Sequence, residues 1–182
     1  MNDMTAANLR SAYGGESMAH MRYKIWGEKA AKDGFANVAR LFQAISRAEQ
    51  AHATGHFKAM GAVGGAFLVA AGAGFGLSTT SDNLQGAIDG ENFEVQEMYP
   101  TYKAVAELQG EKLAVQSMGY ALSAEKIHSA MFQKAKDAVD AGKDVELGPV
   151  QICTNCGHTI EGDRPEKCPI CSVSGKLYET FE

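Results

Sequence analysis

A chain of 182 residues with 45% hydrophobic content is long enough for one well-buried core and a small appendage, which excludes a disordered polypeptide. The net charge of −5, without any run of Lys or Arg, leaves no electrostatic footprint for nucleic acid or an anionic membrane surface. The first residues, Met1-Asn2-Asp3-Met4-Thr5, supply neither a basic n-region nor an apolar h-region, so the expected location is the cytoplasm.

In chain order, the Ala-, Met-, Glu- and Lys-rich stretch from about Thr5 to Asp33 predicts a first helix, and Gly34 ends it. A second helix is expected from about Phe35 to Met60, where Leu41, Phe42, Ile45, Ala48 and His52 build an inward face. The short turn between them makes the pair antiparallel.

Residues 59–81 hold no charged side chain, a length that raises a membrane span. The six glycines within that stretch weaken the reading. A span there would also separate two halves of a metal-site motif described below. The segment is therefore expected to be a long crossover, with its apolar residues packed on the bundle or on a partner subunit.

Thr79-Thr80-Ser81-Asp82 offers N-caps for a third helix running to about Leu108, with a kink expected at Pro100. Gly110 separates it from a fourth helix over about Glu111–Ala141, closed by Gly142. The expected organisation is a four-helix bundle over 1–142, a linker over 143–151 and a small module over 152–182.

The chemistry lies in an internal repeat. Glu16 is followed by Glu49-Gln50-Ala51-His52, and Glu91 is followed at nearly the same spacing by Glu125-Lys126-Ile127-His128. On a helix, positions i and i+3 share a face, so Glu49 with His52 and Glu125 with His128 each aim at one point. One glutamate from each of two helices and Glu-x-x-His from the other two is the ligand set of a carboxylate-bridged di-metal centre. Glu49 and Glu125 are expected to bridge, with Glu16 and Glu91 as terminal ligands. A simple solvated face has no reason to repeat with this spacing.

Glu94 breaks the symmetry, because the matching position in the first half is Ala19. Carboxylate suits a ferric ion and imidazole a ferrous one, so Glu94 and His52 are expected to exchange at one metal with redox state. Tyr23 and Tyr99 follow the lone glutamates by about two helical turns and are candidates for hydrogen bonds to ligand carboxylates. His20 and His56, without counterparts in the other half, are expected to be packing or hydrogen-bonding groups, and Glu97 a solvated carboxylate.

All four cysteines fall near the C-terminal end, between Cys153 and Cys171. Cys153-x-x-Cys156 and Cys168-x-x-Cys171 form two closely spaced knuckles, the signature of a tetrahedral four-thiolate site rather than disulfides in a reducing compartment. A module of this size needs a metal staple. Spacing alone does not separate structural zinc from redox-active iron.

Together, Gly15-Glu16-Ser17, Arg22-Tyr23, Ala48–His52, Asn83-Leu84, Gly90–Glu94, Glu97–Pro100, Ala124–His128 and the knuckles resemble the rubrerythrins over essentially the whole chain. The chain departs from the family pattern at His20, where Arg is usual, and in its Gly-rich crossover. The resemblance implies a mainly α, ferritin-like di-iron bundle with a C-terminal rubredoxin-like domain. It implies two irons in the bundle, one metal in the cysteine cage, and reduction of hydrogen peroxide to water with electrons from NAD(P)H through a separate reductase or rubredoxin. It also implies a head-to-tail homodimer, or a higher homo-oligomer, in which the cysteine cage of one subunit serves the di-iron site of the other. Two other readings stand beside it: a ferroxidase or iron-storage protein, and a non-enzymatic zinc-ribbon binding module.

Overall fold

A computed structural model describes all residues, 1–182. Four helical rods form the bundle: α1 (Asp3–Lys32), α2 (Ala36–Ala59), a third rod made of α3 (Thr80–Phe93), a π-helical turn (Glu94–Met98) and α4 (Tyr99–Leu108), and α5 (Lys112–Asp140). Gly34, at φ +91°, and Gly110, at φ +72°, make the two tight interhelical turns. Thr79 caps α3 by accepting from the Asp82 amide at 3.1 Å. The mainly α, ferritin-like bundle with an appended β/knuckle domain agrees with the sequence reading.

The third rod is not bent simply by Pro100. Its irregularity is the π turn, which opens at Glu94 and precedes Pro100 in the first turn of α4. A π turn absorbs one extra residue in a helix. The repeat shows the same insertion: Glu16 and Glu91 lie 75 apart, whereas Tyr23 and Tyr99, like Glu49 and Glu125, lie 76 apart.

Two apolar clusters fill the bundle, and the repeated motif lies between them. One contains Tyr23, Trp26, Phe42, Leu84 and Phe132. The other contains Leu9, Met60, Met98, Tyr99 and Met118. Along every rod the ligand-type residues fall between the residues of the two clusters, so Glu16, Glu49, Glu91 and Glu125 are held in a dry slab across the bundle.

The crossover, residues 61–79, carries no helix or strand and runs along α1. Ser11 donates to the Ala70 carbonyl at 2.8 Å, the Trp26 indole donates to the Gly76 carbonyl at 2.9 Å, and the Arg10 guanidinium sits 4.1 Å over the Phe67 ring. Its apolar side chains are nevertheless largely uncovered: Leu68 is fully exposed and Phe75 is 92% exposed. The expected packing on the bundle is therefore confined to backbone and a few contacts. No helix is long and apolar enough to cross a membrane.

After α5 the chain crosses back over α2. Asp144 accepts from the free amides of Asn37 and Val38 at the start of α2, at 2.8 and 3.2 Å, and Val145 is buried in the bundle core. The module is a three-stranded antiparallel sheet in the order β2-β1-β3: β1 (Val150–Cys153), β2 (Thr159–Glu161) and β3 (Tyr178–Phe181). Val150 and Ile152 of β1 pack on Ala44 and Ala48 of α2. The small alanine side chains let the sheet approach the helix closely.

Candidate metal centre

Each rod supplies one fully buried carboxylate, and α2 and α5 each add a histidine one turn later. Two ligand groups result: Glu16, Glu49, His52 and Glu125, and Glu49, Glu91, Glu125 and His128. Glu49 and Glu125 belong to both. The Nδ1 atom of His52 lies 2.7 Å from Glu125 Oε1 and 3.0 Å from Glu49 Oε2, while the Nδ1 atom of His128 lies 2.7 Å from Glu125 Oε2 and 3.3 Å from Glu49 Oε1.

The tyrosines cross between halves. Tyr23 donates to Glu91 at 2.7 Å, and Tyr99 donates to Glu16. Each ring therefore holds the lone glutamate of the other repeat. His56 bonds the Tyr99 hydroxyl at 2.8 Å, and His20 lies against the Ser46 carbonyl at 2.7 Å. Glu97 is exposed.

Glu94 lies in neither ligand group. It opens the π turn, is partly buried, and faces a cleft with Arg22, Gly15 and Gly90 that the crossover residues Ala71–Gly74 cover. It is His52, rather than Glu94, that faces the first group here.

Glu16 Oε2 and Glu91 Oε2 have no hydrogen-bond partner, and Glu49 Oε1 and Glu125 Oε1 face only a histidine Nδ1 out of hydrogen-bond alignment. Burying four carboxylates beside two imidazoles is costly unless cations compensate them. A set of oxygen and imidazole donors suits first-row metals. These residues fit a pair of first-row metal ions.

Electrostatics without metal point the same way. Burial, then repulsion from Glu94, Glu125 and Glu49, pushes Glu16 well above the ordinary carboxylate range, and burial with Glu125 and Glu49 does the same to Glu91. Burial also works against the charged form of Glu125, but His52 and His128 outweigh it and hold the carboxyl below its usual range. For His128, burial favours the neutral ring, yet Glu125 pushes it up to about 9. Protons thus take the place of cations.

A pH dependence follows for the metal-free protein. His128, raised from 6.5 to about 9, contributes stability that is present below pH 6.5 and lost as pH rises towards 9. Glu16 and Glu91, also raised, lose theirs in the same direction, while the lowered Glu125 loses its contribution only in acid. The thermal midpoint of metal-free protein should fall across that interval, and the metal-loaded protein should not follow it. A flat metal-free profile would contradict these assignments.

The cysteine cage is also assembled. Its four sulfur atoms lie within 4.8 Å of one another, with Cys153–Cys171 at 3.7 Å and Cys156–Cys168 at 3.5 Å. The residue after each knuckle takes a left-handed conformation, Gly157 at φ +75° and Ser172 at φ +62°.

The cysteine module touches His52 and His128 through its first knuckle and the start of β2. The Cys156 carbonyl lies 3.2 Å from His52 Nε2, and Thr159 Oγ1 lies 2.9 Å from His128 Nε2. Thr159 gives its own proton to the Gly157 carbonyl at 3.0 Å, so it accepts from His128. Both rings therefore carry their proton on Nε2 when a metal takes Nδ1. A side chain at Gly157 would collide with the His52 ring. The resemblance implied a second subunit for this junction; here one chain makes it alone.

A family model described as rubrerythrin matches residues 7–136, and one for the rubredoxin-like domain of rubrerythrin matches residues 151–179. The chain is 49% identical to Rubrerythrin-2 of Clostridium acetobutylicum over 180 residues, 99% of this chain and 98% of that protein. The chain belongs to the rubrerythrin family. Nigerythrin of Nitratidesulfovibrio vulgaris is 30% identical over 92% of this chain and 81% of its own length. A solved structure of fully reduced, all-ferrous nigerythrin superposes with a TM-score of 0.86 at 27% identity, covering 100% of this chain and 88% of that one. A rubrerythrin-type carboxylate and imidazole pocket bonded to a four-cysteine cage is consistent with a peroxidase-type electron relay.

Proposed function

We propose that this rubrerythrin-family protein is a non-haem di-iron peroxidase, reducing hydrogen peroxide to water in the cytoplasm with electrons passed inward from iron in the Cys153, Cys156, Cys168 and Cys171 cage. The observation that carries the reading is the pair of hydrogen bonds that His52 and His128 make to the cysteine module, at the Cys156 carbonyl and the Thr159 hydroxyl. A storage protein has no use for a carrier bonded to its oxidation site, because its iron must leave as ferric product. A purely structural zinc ribbon has no use for that bond either.

An iron pair bound there in its reduced state would supply the two electrons needed to cleave the O–O bond. The chain's residues do the rest. Glu49 and Glu125, common to both ligand groups, and Glu16 and Glu91, each in one, would hold the ions together with His52 and His128, whose Nδ1 atoms face inward because their Nε2 protons are committed to the module. The two apolar clusters keep bulk water from the slab. The electron donor is a separate reductase or rubredoxin, drawing on NAD(P)H. A homodimer or higher homo-oligomer belongs to the reading as well, although one chain contains every ligand.

Glu94 is assigned to the oxidised state, in which it takes the position that His52 faces here. Removal of either ligand then shifts the potential of the pair in opposite directions. Glu94→Ala should raise it and His52→Ala should lower it, as measured by potentiometric titration; shifts of one sign would remove the exchange.

Stopped-flow oxidation of the anaerobically reduced protein by peroxide and by oxygen, side by side, tests the function. Peroxide should be much the faster oxidant. Faster oxidation by oxygen, with accumulation of a mineral core, would favour iron storage.

A further inference from the structure

At a buried position behind each tyrosine, which the repeat makes comparable, the two halves of the bundle differ in polarity. An offset of 76 places Tyr23 on Tyr99 and His56 on Phe132. Tyr23 meets the Phe132 ring edge-on, with centroids 5.2 Å apart, whereas Tyr99 meets the His56 ring at 5.7 Å. Behind Tyr23 there is hydrocarbon. Behind Tyr99 there is a hydrogen-bonded chain.

That chain reaches the surface. The Tyr99 hydroxyl lies 2.8 Å from His56 Nε2, and His56 Nδ1 lies 2.9 Å from Ser117 Oγ. Ser117 is partly exposed and lines a cleft of about 430 Å³ with Lys58, Gln116, Tyr120 and Asn155. A side chain at Gly55 would come within 3.1 Å of the Ser117 hydroxyl, so the glycine leaves room for it.

The polarity of the chain follows from counting protons. Tyr99 has one, and a metal-holding Glu16 carboxylate can only accept it. The Tyr99 oxygen then accepts from His56 Nε2–H, which in the neutral ring leaves Nδ1 bare to accept from Ser117. Every donor thus points inward.

We propose that Ser117, His56 and Tyr99 are a one-sided proton relay from the cleft to Glu16. The proposal rests on the peroxidase reading. Breaking the O–O bond of H2O2 to give two H2O consumes two electrons, which the reduced iron pair gives up, and two protons, which the dry slab must import. In each passage Ser117 takes a proton from cleft water and gives its own to His56 Nδ1. The Nε2 proton moves to Tyr99, the Tyr99 proton moves to Glu16, and Glu16 would release it to an oxygen of the peroxide, which leaves as water, before the next passage. Reorientation of the three groups resets the chain. The Tyr23 side, ending on Phe132, cannot do this.

Two measurements test the relay. In the 15N-labelled full chain with diamagnetic zinc in the bundle site, solvent exchange of the His56 Nε2 proton should slow on the order of tenfold or more in Ser117→Ala, while the His128 ring proton is unchanged. In the iron-loaded protein, His56→Phe, which copies the other half, should slow single-turnover oxidation by peroxide on the order of tenfold or more, raise the solvent isotope effect, and be partly rescued by added imidazole. Iron content should stay that of the parent. Should His56→Phe lose iron, Ser117→Ala, lying further from the ligands, decides alone, with Ser117→Thr expected to restore the rate. Parent-like exchange and oxidation rates in Ser117→Ala would overturn the relay. A parent inert to peroxide but showing the Ser117-dependent exchange would overturn the peroxidase reading and leave the relay standing.

Discussion

Replacing Glu125 with alanine is expected to abolish iron binding in the bundle while the cysteine cage keeps its metal. Glu125 is one of two carboxylates common to both ligand groups, and its two oxygens each lie 2.7 Å from a histidine, Oε1 from His52 and Oε2 from His128. No neighbour on α5 can replace it. The next acid along that helix is Asp137, more than three turns further on and therefore about 18 Å away along the axis. Residues that merely support a ligand typically cost ~10–100-fold in metal affinity when removed, so losing a bridge should cost more. The metal-free variant is also expected to be destabilised, on the order of 3–5 kcal/mol, because two buried histidines lose their main counter-charge. Metal analysis and the visible spectrum check this directly. Full occupancy of the pair in Glu125→Ala would contradict the bridging role.

Gly157→Val should separate the two redox sites without unfolding either. Its left-handed conformation, φ +75°, costs a side-chain-bearing residue roughly 1–2 kcal/mol. The larger effect is spatial, because even a Cβ atom there would strike the His52 ring. Either His52 turns away from Glu125, or the knuckle lifts and the Cys156 carbonyl loses its bond to His52. Displacement of about 1 Å at such a junction can cost on the order of a hundredfold in rate. Reduction of the bundle site by an external donor should fall by about that factor, with the cage spectrum intact. Ser172 is the internal control. It holds the same left-handed position after the second knuckle, at φ +62°, and is exposed, so the fold itself accepts a side chain there. Re-reduction at the parent rate in Gly157→Val would show that electrons do not pass through this contact.

Much of the candidate site was legible because helical ligands repeat. Glu16, Glu49, His52, Glu91, Glu125 and His128 stand out by spacing, and the structure brings all six into one slab. The change of offset from 75 to 76 also recorded an inserted residue. It did not say where the insertion fell: any residue between Glu91 and Tyr99 gives the same count, and only the backbone hydrogen bonds put the π turn at Glu94–Met98. Glu94 was visible as an asymmetry, but its withdrawal to the crossover-covered cleft was not. The apolar crossover predicts packing on the bundle or on a partner subunit; within this chain α1 holds it mainly through its backbone carbonyls and leaves Leu68 and Phe75 outside.

The junction had no signal in the sequence. The Cys156 carbonyl belongs to the main chain, Thr159 is one hydroxyl among many, and Gly157 looks like any glycine after a knuckle. Ser117 and His56 lie far apart in the chain with no motif between them. By itself the sequence determined the bundle, the cysteine cage and the candidate ligand set, because helix periodicity and Cys-x-x-Cys spacing are local constraints that a linear pattern can record. The tertiary structure alone decided which histidine nitrogen faces the metal pocket, which tyrosine holds which glutamate, and which half of the bundle opens to a cleft. Those depend on side chains and backbone atoms from separate rods meeting within about 3 Å, the reach of a hydrogen bond, and no spacing along the chain encodes that distance.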